Sequence, residues 1–219
     1  MTTISYSAFL DDVMPDVGGA SVDVVTHAIQ NACIQFCEQT SFIWEIQDPL
    51  VPVAGTAVYD LYAPAQMRVM KVTEVWSPRM YSLTPRNAAW LRSKLPNWGD
   101  WTGVPRYYNM PTETQLRLVP YPAATDTVDP VQDALTVTVA YKPTRSSTAV
   151  DRRLYDEHLE TIAAGAKYRL MSSPAKPYTN VELASLHFKT FWAGVGKARR
   201  DTNGALSNAQ QRVTPLKAA

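Results

Sequence analysis

Three histidines, two cysteines and one tryptophan-rich loop are the residues whose types could carry chemistry. The histidines are His27, His158 and His187. None stands in an HxxxH or HExxH spacing, so zinc-protease ligation lacks its partners. His158 and His187 fall on apolar helix faces and read as packed side chains. Cys33 and Cys37 lie four apart in one helical pattern. Two thiolates there could reach a metal, but a structural site needs four ligands and no second Cys/His pair completes it. They read as two small buried residues.

Nucleophile and phosphate motifs are missing as well. The chain has no GxSxG, no GxxxxGK[ST] and no GxGxxG. Gly194-Val195-Gly196-Lys197 lies inside a helical pattern without the preceding strand that a phosphate loop needs. Asp11-Asp12 reads as a solvated or capping pair rather than an acid/base dyad. The expectation is a chain with no catalytic residue, no cofactor and no metal. The Trp98-Gly99-Asp100-Trp101 loop is the most binder-like feature. Its rings could stack on sugars or bases, anchor a protein interface, or fold back over a sheet. The end of the chain is basic: Lys197, Arg199, Arg200, Arg212 and Lys217 stand against Asp201 alone. Such a segment could touch phosphates, or pair with acidic surface on a partner.

The bulk properties set bounds. The chain has 219 residues, 46% hydrophobic, with 21 basic and 20 acidic side chains and a net charge of +1. That balance makes no global case for nucleic-acid or membrane binding. Two cysteines form no disulfide framework, which suits a reducing cytoplasm. The opening MTTISYSAFL lacks the charged and apolar regions of a signal peptide. No apolar run approaches the roughly 18 residues of a membrane span.

The elements that position these residues follow from periodicity. Tyr6, Phe9, Leu10 and Val13 predict a short helix stopping at Pro15. Ser21 predicts an N-cap, followed by a helix with Val25, Ala28, Ile29, Ala32, Cys33 and Phe36 on one face. Strands are expected at Phe42 to Ile46 and Ala57 to Leu61, about a turn at Ala54-Gly55. Met67 to Trp76 alternates with apolar residues on both faces and reads as a central strand covered on both sides. Thr84-Pro85 predicts the start of a short helix. Three proline-flanked strands follow at Arg106 to Asn109, Gln115 to Val119 and Leu135 to Tyr141. After a cap at Asp151, Leu154, Tyr155, His158, Leu159, Ile162, Ala166 and Leu170 form one stripe. Beyond the Ser172 to Pro177 linker, Thr179 or Asn180 caps a last helix carrying Leu183, Leu186, His187, Phe191 and Val195.

Each long helix has one apolar stripe to bury. The expectation is an α+β fold: an antiparallel bundle of three main helices (1–42 and 150–200), with an inserted antiparallel β-sheet or small sandwich (43–149). Residues 201–219 are small, polar and weakly periodic. They read as an extended tail whose order comes from something outside the subunit core.

Several segments resemble the head-to-tail adaptor, or connector, proteins of tailed bacteriophages, which are related to tail tubular protein A of short-tailed phages. Ala32-Cys33-Ile34-Gln35-Phe36-Cys37-Glu38-Gln39-Thr40 leading to Trp44 is similar to that family's first helix and tryptophan strand. Thr102-Gly103-Val104-Pro105-Arg106-Tyr107-Tyr108, then Leu116 to Pro122, resemble its central strands. Val139-Ala140-Tyr141-Lys142-Pro143, Leu154-Tyr155-Asp156-Glu157, Ala163 to Ala166 and Lys176-Pro177-Tyr178 follow in the family's order. The resemblance implies a virion protein of the neck, assembled in the host cytoplasm. It implies a ring of about twelve copies, docked between the portal protein and a downstream tail or nozzle protein, around a channel that DNA crosses without sequence-specific binding. The expected contacts are Arg199, Arg200, Arg212, Val213, Leu216 and Lys217 toward the portal or a neighbouring subunit, and Trp98 and Trp101 toward a neighbour or the tail. A tail tubular component, or a carbohydrate-binding module using Trp98, Trp101, Tyr107 and Tyr108, is the alternative.

Overall fold

The computed structural model describes residues 2–206. In chain order it forms β1 (Thr3–Ser5), a 3-10 turn (Tyr6–Phe9), α1 (Leu10–Val13), a second 3-10 turn (Met14–Asp16) and α2 (Val22–Thr40). Then come β2 (Trp44–Ile46), β3 (Val58–Asp60), β4 (Met67–Ser77), β5 (Tyr81–Ser82), β6 (Thr84–Pro85) and α3 (Ala88–Lys94). β7 (Tyr107–Thr112), β8 (Gln115–Val119), β9 (Thr136–Pro143), β10 (Ala149–Asp151), α4 (Arg152–Met171) and α5 (Val181–Leu206) complete it. The fold is mixed α+β. It divides into two units: one holds the chain up to Phe42 and from Arg145 on, the other is Ile43–Thr144.

In the helical unit, α2 buries Val25, Ala28, Ile29, Ala32, Cys33 and Phe36, the face its periodicity predicts. Ser41 ends it in the left-handed region, with its N–H on the Cys37 carbonyl at 2.8 Å. Ser21 precedes the helix, yet its hydroxyl makes no cap bond; only its carbonyl is used, by Val25 N–H. The N-terminal helical stretch does not stop at Pro15. The proline enters the first turn of the second 3-10 segment, where an N–H has no intrahelical partner to lose.

α4 packs on α2 and on α5. Asp151 caps α4, accepting from Arg153 N–H at 2.9 Å and from the Arg153 guanidinium at 2.8 Å. Leu154, Ile162, Ala166 and Leu170 are buried, but Tyr155, His158 and Leu159 are only half-buried. The reason is a kink: His158 has φ −132° and ψ 20°, which breaks the 3.6-residue phase. On α5, capped by Asn180 through Leu183 N–H at 3.1 Å, the buried face is Ala184, Phe191, Val195, Ala198 and Thr202. Leu183 and Leu186, expected inside, are 42% and 56% exposed. The small alanines take the contact face instead, because closely approaching helices leave no room for leucine. α5 also continues through Leu206. Residues 201–206 are therefore helical, not the start of an extended tail, and residues 207–219 lie outside the described part.

The β unit holds two four-stranded sheets, ordered β2-β9-β4-β5 and β3-β8-β7-β6. All pairs are antiparallel except β6 with β7. β2 and β3 thus fall in different sheets. β4 is central, but it is not covered on both sides. Bulges at Val69/Lys71 and Val72/Glu74 shift its phase, so Met67, Val69, Val72, Val75 and Ser77 are buried while Arg68, Lys71, Glu74 and Trp76 are exposed. Thr84-Pro85 starts no helix; it pairs with Tyr107 and Tyr108, and α3 begins three residues later under an Asn87 cap.

Candidate interaction surfaces

Of the residues with catalytic or ligating potential, His158, Cys33 and Cys37 are spent on packing, while His27 is exposed on α2. His158 sits between the rings of Phe36 (4.7 Å) and Phe42 (4.6 Å). Cys33 and Cys37 are fully buried and unbridged, and burial pushes both thiols up, away from the thiolate a metal or an electrophile needs. Among the described residues no three His, Cys, Asp or Glu side chains converge on a point that could hold a metal. Gly194 of the Gly194-Val195-Gly196-Lys197 run lets α5 approach Thr161 of α4: a Cβ there would lie 2.3 Å from the Thr161 hydroxyl oxygen. That is a helix-crossing glycine, not a phosphate cradle.

Burial holds the His158 imidazole below its ordinary value of 6.5, and His187 likewise. The unfolded chain therefore takes up protons near 6.5, before the folded chain does. Stability is complete above that value and falls as pH drops through it toward the lower folded values. Urea midpoints should decrease on acidification from neutrality to about pH 5, and His158→Asn should flatten the slope. An unchanged slope in that variant would remove His158 as the cause.

The tryptophan loop lies in the β unit. Trp98 is half-buried. Arg117 lies over its ring at 4.8 Å and donates to the Gly99 carbonyl at 2.6 Å. Strand alternation places Arg117 on the opposite face of β8 from the buried Leu116 and Leu118, and so on the side that meets this loop. Beside it, Trp90 of α3 packs on Tyr107 at 5.4 Å, with Arg86 over Trp90 at 4.5 Å. Tyr108 is buried on the other face of β7. The four rings expected to form a glycan platform therefore do not share a surface, because adjacent residues in a strand point apart. Trp98 anchors its own loop, and Trp101 is 38% exposed. Sequence reasoning missed Arg117 and Arg86; the period-2 alternation in Leu116-Arg117-Leu118 is the signal that could have placed the first.

Arg199 and Arg200 stand exposed on the last third of α5. They belong to the helical unit, and Trp98 and Trp101 to the β unit. Arg212, Val213, Leu216 and Lys217 lie outside the described residues. The structure also shows exposed apolar surface, of which Leu183 and Leu186 are expected in the core. Val181, Leu183, Leu186 and Phe188 are exposed on the first half of α5, and Val51, Val53, Val104 and Val131 on the β unit. No described helix is long and apolar enough to cross a membrane.

A family model described as SU10 adaptor protein matches residues 4–214, nearly the whole chain and both units. No curated protein matches the chain.

Proposed function

The chain belongs to the SU10 adaptor protein family, phage head-to-tail adaptors, and from that premise we propose that it is a ring subunit joining the portal protein to a downstream tail or nozzle protein in the virion neck. The observation that carries the reading is that the family match runs through the helical and the β unit alike. The exposed apolar side chains on both units support it, since each unit then has a surface for a neighbour. A closed ring uses one heterologous contact repeated around an axis, and about twelve copies is the number the family resemblance implies. Arg199 and Arg200, with Arg212, Val213, Leu216 and Lys217 beyond them, are proposed to meet the portal or a neighbouring subunit. Trp101 is proposed to meet a neighbour or the tail, with Trp98 holding its loop in place. The ring would line the channel that DNA crosses, and a net charge of +1 suits a wall that does not grip the duplex.

Mass photometry of the chain with and without a purified portal ring tests this. The expected result is a small species alone that adds about a dozen copies to the portal. A chain that never associates with the portal would return the assignment to a tail tubular component.

A further inference from the structure

One end of the β unit opens into a cavity of about 370 Å³. Pro52, Pro105 and Pro122 wall it, together with Met80, Val104 and Val128. Each comes from a loop, so the wall is assembled from four separate connections. Prolines offer no N–H, which leaves this wall poor in donors. Val104 is 54% exposed at the cavity, and Val51 and Val53 on either side of Pro52 are exposed too.

The polar side of the cavity has one sign. Arg79 donates to both Asp133 oxygens at 3.2 Å, and Asp133 also accepts from Asp129 N–H at 2.9 Å. That pair neutralises itself. Asp126 remains on the lining, and Asp129 borders it through its N–H on Asp133; the two carboxylates are held by backbone N–H groups of Ala123, Val131 and Gln132. No Lys, Arg or His lies between Tyr121 and Leu135 to balance them.

An occupant of matching chemistry is a short segment with aliphatic side chains flanked by cations. The chain carries such a segment beyond α5: Arg212-Val213-Thr214-Pro215-Leu216-Lys217, within a stretch after Leu206 that has no acidic residue. A residue preceding proline is disfavoured in the helical region, so Thr214-Pro215 favours an extended approach. We propose that this cavity receives residues 212–217 of a second copy of the chain. Val213 and Leu216 enter among the prolines, and Arg212 and Lys217 stay outside against Asp126 and Asp129. One cavity and one such segment per subunit is the stoichiometry that a single repeated contact requires. The inference rests on the adaptor reading only in taking the second copy from a ring neighbour; the contact itself needs no ring.

The test uses the full chain with labelled methionine methyls and a synthetic peptide of residues 207–219. Titration should move the Met80 methyl signal to saturation, less strongly at higher salt. Val104→Lys, at a position more than half exposed and therefore compatible with folding, should weaken binding about tenfold or more by setting a cation in the apolar wall against the cationic segment. An unmoved Met80 signal, or equal affinity for the variant, overturns the proposal. Val104→Cys combined with Leu216→Cys, oxidised in the full chain, should give disulfide-linked multimers, with Cys33 and Cys37 too buried to interfere. A crosslink confined to single chains, or none, overturns the assignment to a second copy. A Met80 shift in a chain that fails to join the portal would sink the adaptor reading and leave this one standing.

Discussion

Ile162→Asp should leave no cooperatively folded chain, while Leu159→Asp, three residues earlier on the same helix, should fold with a modest loss. The periodicity of α4 puts both leucine and isoleucine on one stripe, and a straight helix would make the two substitutions equally severe. The kink at His158 separates them. Ile162 is fully buried on the helix that packs against both α2 and α5. A carboxylate there has no partner and no water. Its burial costs several kcal/mol or forces it to stay protonated, against a total stability of roughly 5–15 kcal/mol. Leu159 is half-buried and borders a groove that also exposes Asp156, Glu157 and Glu160, so water reaches a carboxylate placed there. A cost of about 1 kcal/mol is expected, as for an ordinary partly exposed site. Far-UV circular dichroism and urea midpoints of the two variants decide the matter. Equal losses would mean that the kink does not set the buried face.

Local signals explain which parts of this fold were legible. α2 is readable because six apolar side chains from Val25 to Phe36 repeat at helical spacing within its 19 residues, and one register satisfies them all. α5 is read correctly at Phe191 and Val195 but not in its first turns, where two registers compete: Leu183 and Leu186 give one, Ala184 with Phe191, Val195 and Ala198 the other. Hydrophobicity favours the leucines, but close helix approach favours the alanines, and only the tertiary partner decides. β4 failed differently. Its alternation is real, yet two bulges flip the buried face twice, and bulge positions depend on the partner strand β9. The β1 and β10 pair joins Thr3–Ser5 to Ala149–Asp151. Three-residue strands so far apart in sequence carry no periodicity that could announce them.

The interaction surfaces were legible where they depended on residue type and not where they depended on assembly. The Trp98 and Trp101 loop and the basic C-terminal stretch stand out in composition. That Trp98 is clamped under Arg117 follows from the side of β8 that Arg117 occupies. The cavity could not be seen at all. Its walls come from four loops spanning Pro52 to Asp133, and each contributes a proline or another apolar residue that alone reads as an ordinary turn.

Gly165→Val should be the most damaging single change that adds no charge, because three helices meet at this glycine. A Cβ at Gly165 would lie 2.7 Å from one carbon of the Phe191 ring, 2.8 Å from another and 3.0 Å from the Ala32 Cβ. Ala32 belongs to α2 and Phe191 to α5, so the glycine on α4 sets both helix separations at once. Neither neighbour can give way. Ala32 is fixed to its backbone, and Phe191 is fully buried and held by Tyr168 at 5.8 Å and Trp192 at 5.6 Å. Alanine at 165 would gain about 1 kcal/mol of helix propensity but meet an overpacking cost of about 1–3 kcal/mol. Valine adds two further carbons to the same clash, and a loss of at least about 3 kcal/mol is expected. For a chain of this size that corresponds to a fall in Tm of roughly 6–12 °C. Gly204 of α5 is the control: a Cβ added there would meet nothing within 4 Å, so Gly204→Ala should stabilise by up to about 1 kcal/mol. Phe191→Leu should recover part of the loss in the Gly165→Val background, because the two sites share one contact and their effects cannot add. Scanning calorimetry of the three single variants and the Gly165→Val, Phe191→Leu double variant separates the possibilities. A Gly165→Val chain as stable as the Gly204→Ala chain, or strictly additive effects with Phe191→Leu, would show that the three helices are not locked together at this point.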